Sequence, residues 1–169
     1  MKNRIPVNRV WTLLAVALVF AGCDKNGSET PVVDAEAARE NVEAMAGEHA
    51  ADTTEPTEAA LAAPRRPVVS EDLAYGDVDN ELVYGHFAFP ADMVEPLPAI
   101  IVIHEWWGLN DNVRAMADRL AGEGYIVLAV DLFGGQVATT PEQARKQMLA
   151  VVENPDAASD NIRQAYEFV

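Results

Sequence analysis

Cysteine occurs once in these 169 residues, at Cys23, so no disulfide can form within the chain. Histidine occurs only at positions 49, 86 and 104. His104-Glu105 invites a zinc reading, but a metalloprotease-type H-E-x-x-H would need a second histidine where Gly108 stands, so no metal site is expected. Basic residues number 12 against 27 acids, for a formal charge of −15. That balance excludes the clustered Lys and Arg that binding a nucleic-acid backbone requires. No apolar run reaches the roughly 20 residues of a membrane-spanning helix. Internal repeats are also missing.

What is present begins with a targeting segment. Met1–Arg9 carries Lys2, Arg4 and Arg9 without an acid, and Val10–Phe20 is an apolar run of 11 residues. Small residues Ala21 and Gly22 then precede Cys23. A basic start, a short apolar stretch and a small-residue cleavage site make a secretory signal over 1–23. Ala21-Gly22-Cys23 further resembles the end of a bacterial lipobox, although Phe20 stands where an aliphatic is usual. The resemblance implies lipidation of Cys23 and an exported, periplasmic protein anchored to the membrane through lipid. Asp24 resembles the inner-membrane retention signal of some such lipoproteins. An ordinary signal peptide with an incidental cysteine is the plainer alternative.

Residues 24–66 form a second compositional zone. Up to Pro64 it holds ten acids against Lys25 and Arg39, is rich in Ala, Glu, Thr and Pro, and contains no aromatic residue. Little apolar surface is available to offset the entropy of ordering it, so a disordered linker is expected. A transient helix is expected over Asp34–His49, where Ala38, Val42 and Met45 share a side.

Residues 67–169 read as a single α/β domain. Leu73–Tyr75 and Glu81–Phe89 predict a hairpin, with an irregularity near Gly85 where the spacing of Leu82 and Tyr84 changes to that of Phe87 and Phe89. Ala99–His104 is a continuous, β-branched apolar strand of the kind covered on both faces. Asn110 or Asp111 can cap a helix whose buried stripe is Val113, Met116, Ala117, Leu120 and Ala121. Gly122 and Gly124 stop it, and Tyr125–Val130 is a second buried strand. Strand, helix and strand make a βαβ unit with parallel strands. Thr140-Pro141-Glu142-Gln143 starts another helix with Ala144, Met148, Val151 and Val152 inward. Asn154-Pro155 starts a last one, with Ala158, Ile162, Ala165, Tyr166 and Val169 on one face. That stripe is still running at Val169, as in a truncated domain.

Glu105 is the residue on which a functional reading turns. In open α/β sheets, ligands bind beyond the carboxyl ends of the strands, and Glu105 directly follows an apolar strand. Partial desolvation there would raise its pKa and suit it to proton handling or to pairing with a nucleophile. The plain alternative is a glutamate that caps the next helix or pairs with Arg114. Trp106-Trp107 could be simple apolar cover, or indole walls of a pocket for an acyl group. Phosphate-binding glycine loops are absent after both apolar strands, which counts against a flavodoxin-like domain.

The pattern Glu105-Trp106-Trp107-Gly108, Arg114, Gly124-Tyr125 and Asp131-Leu132-Phe133 resembles the dienelactone hydrolase family of α/β-hydrolases. The resemblance implies a parallel-rich sheet with helices on both faces, of which this chain supplies the N-terminal part. It implies that Glu105 helps activate the nucleophile and that the Trp106 N–H is an oxyanion donor. Trp107 and Arg145 would contact substrate, Arg145 by holding a carboxylate. The implied substrate is a small ester or lactone, cleaved without metal or cofactor through an acyl intermediate and an oxyanion hole. An α/β-hydrolase also needs a G-x-S-x-G elbow or its cysteine equivalent, then an acid and a histidine. Ser28, Ser70 and Ser159 lack the flanking glycines, and no histidine follows His104. The expectation is therefore an incomplete N-terminal portion without triad activity. A non-catalytic module that docks through its open sheet edge is the rival reading.

Overall fold

A computed structural model describes residues 34–52 and 54–169. The signal peptide, Cys23 and the first part of the linker lie outside the described residues. Strand β1 (Val68–Val78) turns into β2 (Glu81–Pro90) through Asp79 and Asn80, both at positive φ. Two residues of that kind make a turn whose twist matches the strands it joins. β2 pairs antiparallel with β4 (Ile126–Val130), which pairs parallel with β3 (Ala99–Ile103). The sheet order is β1-β2-β4-β3.

The hairpin's irregularity lies on β1, at Tyr75, where the register passes from Ala74↔Tyr84 to Gly76↔Val83. β2 itself runs unbroken, which corrects the expectation at Gly85. Leu82 and Tyr84 are exposed, and the inward series Val83, Gly85, Phe87 lies on the opposite face. Gly85 lacks a side chain because its place is taken: a Cβ there would stand 2.7 Å from the Ala129 carbonyl oxygen and 3.0 Å from the Tyr75 ring.

Helix α3 (Asp111–Gly122) connects β3 to β4 and starts at Asn110, whose side chain accepts the Val113 N–H at 3.0 Å. Its Val113, Ala117 and Ala121 pack against Ala88, Val127 and Ala129 on one sheet face. Helix α5 (Pro155–Phe168) covers the other face, where Ala165 meets Tyr75, Leu128 and Val130. Alternate residues of β4 are thus buried on both sides, as a parallel strand inside an α/β layer requires. β3 departs from that expectation. Ala99 and Ile103 are exposed, and its outer edge has no partner strand among the described residues. On α5 the buried side is carried by Asn161 and Ala165, whereas Tyr166, expected inward, is 75% exposed.

Helix α4 (Pro141–Glu153) begins where Thr140 accepts the Gln143 N–H. Within the zone expected to be a disordered linker, the described residues hold two helices, α1 (Ala35–Glu48) and α2 (Glu58–Leu61). Asp34 caps α1, whose Val42 is buried. α1 lies along α4, with Arg39 bonded to Glu153 at 2.9 Å and Arg145 bonded to Glu43. α2 lies against α3, and Arg119 donates to the Ala59 carbonyl. The narrow Ala38–Val42–Met45 stripe therefore has an apolar surface to meet, which composition alone does not reveal.

Candidate active site

The chain leaves β3 at Ile103 and turns sharply through His104-Glu105-Trp106-Trp107-Gly108 into the first turn of α3. Gly108 N–H donates to the Glu105 carbonyl at 3.1 Å, and Ala138 N–H donates to the Trp107 carbonyl at 2.8 Å. Gly108 has φ +93°, and a Cβ there would lie 2.5 Å from the Gln136 carbonyl oxygen. The turn is therefore shaped for glycine.

His104 is buried and spans the ends of the two parallel strands. Its Nε2 accepts the Leu132 N–H at 3.1 Å, so its proton sits on Nδ1, which donates to the Glu105 carbonyl at 2.7 Å. The ring packs edge-on against Phe133, with centroids 4.5 Å apart. Both nitrogens are committed, so His104 positions the turn that carries Glu105. The sequence reading weighed His104 only as a metal ligand and missed this role. Its one signal was the position at a strand's carboxyl end.

Glu105 is exposed, and Asn112 Nδ2 donates to its Oε1 at 3.4 Å. The expected desolvation is absent because the side chain leaves a turn at the sheet's open end. The expected pairing of Glu105 with Arg114 is absent too. Arg114 donates to both oxygens of Asp72 and to the Leu109 carbonyl. Asp72 also faces His86 Nδ1 at 2.8 Å, while His86 Nε2 faces Asp118 at 2.9 Å. Partial burial works to raise the Asp72 pKa, but the bonds and charges of Arg114 and His86 outweigh it, and the net shift is downward.

Glu105 borders a cavity of about 390 Å³. The strand ends give it His104, Trp106, Leu132 and Phe133; α4 gives Met148, Val151 and Val152; and α1 with the turn after it gives Met45, His49 and Asp52. Trp106 is buried and forms one wall. Among the described residues no acceptor engages its backbone N–H. Trp107 is not on the wall. It is 3% exposed and packs with Ala138 and Ala144 in the core, away from the cavity lining. Arg145 is not on the wall either: it is bonded to Glu43 of α1 and does not border the cavity.

Asp131 closes the opposite loop. Its oxygens accept the N–H groups of Phe133, at 2.8 Å, and Gly135. The Asp-Leu-aromatic element thus shapes the second rim of the cavity. The site as described can place one carboxyl group and one backbone N–H beside an apolar chamber.

A model of the dienelactone hydrolase family matches residues 83–168. The Aquifex aeolicus protein named "Putative carboxymethylenebutenolidase" is 42% identical over 76 residues, which cover 43% of this chain and 33% of that protein. Protein usf of Aquifex pyrophilus is 43% identical over 60 residues, covering 34% of this chain and 26% of the relative. The chain therefore spans about a third or less of the length of these relatives. The solved structure m3DLH superposes with a TM-score of 0.54 at 30% identity, covering 60% of this chain and 42% of that one.

Proposed function

The chain belongs to the dienelactone hydrolase family, and from that premise we propose that it carries the Glu105 part of a site that cleaves small carboxylic esters or lactones. The observation that supports this reading most is that Glu105 and Trp106 both border the apolar cavity beyond β3. Acyl transfer needs a nucleophile kept in its reactive form and a donor aimed at the developing oxyanion. In this proposal Glu105 accepts a hydrogen bond from the nucleophile and favours its activation, and the Trp106 N–H holds the oxyanion. The nucleophile, its histidine and the second acid come from sequence outside these 169 residues. The anchoring of the protein in an exported, lipid-bound form through Cys23 is part of the same proposal.

The test has two arms. DNA following codon 169 is read for an in-frame G-x-[SC]-x-G strand, and hydrolysis of p-nitrophenyl acetate is assayed on the product extended through it. Activity is expected there, reduced about 10²-fold or more by Glu105→Gln, and none is expected from residues 24–169 alone. Hydrolysis by the 169-residue chain that Glu105→Gln abolishes would overturn the assignment of the nucleophile. Equal rates for the extended product and its Glu105→Gln variant would overturn the role of Glu105. For the anchor, labelling with a radioactive fatty acid is expected in the wild type and absent in Cys23→Ala.

A further inference from the structure

The cavity beside Glu105 has an unusual source for one of its walls. Met45, His49 and Asp52 come from α1 and the residues directly after it, ahead of the 83–168 segment that matches the family model. α1 is held there chiefly by its buried Val42, and the exposed Arg39–Glu153 and Arg145–Glu43 pairs with α4 add little to it. His49 Nδ1 lies 2.7 Å from Asp52 Oδ2, and the imidazole tilts over Trp106 with centroids 5.9 Å apart. The segment that composition marks as a linker thus contributes side chains to the chamber.

The charges of the lining point one way. Among the described residues, two carboxyl groups, Glu105 and Asp52, border the chamber, and neither Lys nor Arg does. Arg145, the cation that could have taken a substrate carboxylate, is bonded to Glu43 of α1 and does not border the chamber. His49 is already engaged by Asp52. Most of the remaining wall is apolar: Met45, Trp106, Leu132, Phe133, Met148, Val151 and Val152. An anionic ligand would lose its hydration shell and meet like charge without a countercharge.

We propose that α1 completes this chamber as a binding site for uncharged, apolar esters or lactones, with Met45 setting its depth and Asp52 together with Glu105 excluding carboxylates. The proposal rests on the ester-hydrolase reading for its ligand class. A cavity of about 390 Å³ accommodates a single-ring ester.

Binding to the full 169-residue chain is measured without turnover, by following the Trp106 indole N–H resonance in protein labelled with ¹⁵N-tryptophan. Methyl benzoate and benzoate are the probes; they share the phenyl ring and carboxyl carbon and differ in the ester O-methyl group and in charge. Methyl benzoate is expected to bind at least about tenfold more tightly at pH 7. In Asp52→Asn combined with Glu105→Gln, that preference is expected to shrink below about threefold. Met45→Trp fills the chamber and is expected to weaken methyl benzoate by about tenfold or more. Should Met45→Trp fail to fold, Met45→Ala replaces it, with a gain in affinity for the larger methyl 2-naphthoate as the expected sign. Benzoate binding as tightly as its ester, no binding of either probe, or Met45 variants that fold normally and leave both esters unaffected would each overturn the proposal. Loss of hydrolysis in the extended product with probe binding intact would instead count against the hydrolase reading alone.

Discussion

His104 accepts the Leu132 N–H at 3.1 Å and thereby joins the carboxyl ends of two parallel strands at the mouth of the cavity. Removing this buried imidazole leaves the Leu132 N–H without a partner and takes one of the two donors from the Glu105 carbonyl, which keeps the Gly108 N–H. His104→Ala is expected to lower stability by about 2–3 kcal/mol. Urea unfolding followed by circular dichroism checks the value. A shift of the Trp106 indole resonance in the same variant would show that the Glu105 turn has moved with it.

Tyr75 sits at the hairpin bulge, and its hydroxyl donates to Asn161 Oδ1 at 2.5 Å, while Asn161 Nδ2 donates to the Asp131 carbonyl at 3.1 Å. This chain of bonds ties α5 to the end of β4. Burial first, with the nearby Asp131 charge adding to it, pushes the Tyr75 pKa up from 10.0 to about 12, against the lowering effect of the Asn161 bond. The folded state therefore holds the phenolic proton more tightly than the unfolded chain. Its contribution is complete below pH 10 and is lost as pH rises from there through about 12. The loss is on the order of 2 kcal/mol after allowance for solvent screening. Tyr75→Phe is expected to be less stable at neutral pH but to lack this alkaline component, which urea midpoints at pH 9 and above pH 11 will separate.

Arg145 illustrates where the sequence stops being informative. Its position after the Asp-Leu-aromatic element suggested a hold on substrate, but its guanidinium is taken by Glu43 of α1, distant in sequence. Arg145 shares a helical face with Met148 and Val152, which border the cavity, so spacing along α4 cannot tell a substrate contact from a contact with α1. Arg145→Ala is accordingly expected to leave methyl benzoate binding unchanged and to alter stability little, since exposed ion pairs contribute little. A marked loss of ligand affinity in that variant would return Arg145 to the site.

The same contrast runs through the fold. The β3–α3–β4 unit was legible because continuous β-branched runs, the Asn110 cap and the 3.6-residue stripe of α3 all point to one local structure. The family pattern placed Glu105 and Trp106 at the strand end for the same reason. What could not be read was tertiary. Trp106 and Trp107 are chemically identical neighbours, and nothing in their sequence tells that Trp106 borders the cavity while Trp107 does not. The docking of α1 depends on a surface of α4 a hundred residues away, so composition indicated a linker where the fold has a wall. The bulge at Tyr75 was misplaced because alternation in β2 was judged by Leu82 and Tyr84, which are large but exposed.

Gly108 holds the pieces of the site in register, and its replacement tests the whole arrangement. Its φ of +93° lies outside the range that side-chain-bearing residues adopt readily, and a Cβ would press on the Gln136 carbonyl oxygen from 2.5 Å. That oxygen belongs to the backbone of the loop that Asp131 closes, so the clash cannot be relieved by a rotamer change. Gly108→Ala is expected to cost about 1–3 kcal/mol through strain and loop displacement together. Because the Gly108 N–H bonds the Glu105 carbonyl at 3.1 Å, the same change displaces Glu105 and Trp106 as a unit. The expected signature is a lowered unfolding midpoint together with weakened methyl benzoate binding, whereas Gly134→Ala, with no atom within 4 Å of the added Cβ and a φ of +62°, carries only the conformational part of the penalty. Equal losses of ligand affinity in the two variants would show that the close approach of Gly108 to Gln136 does not fix the geometry of the cavity.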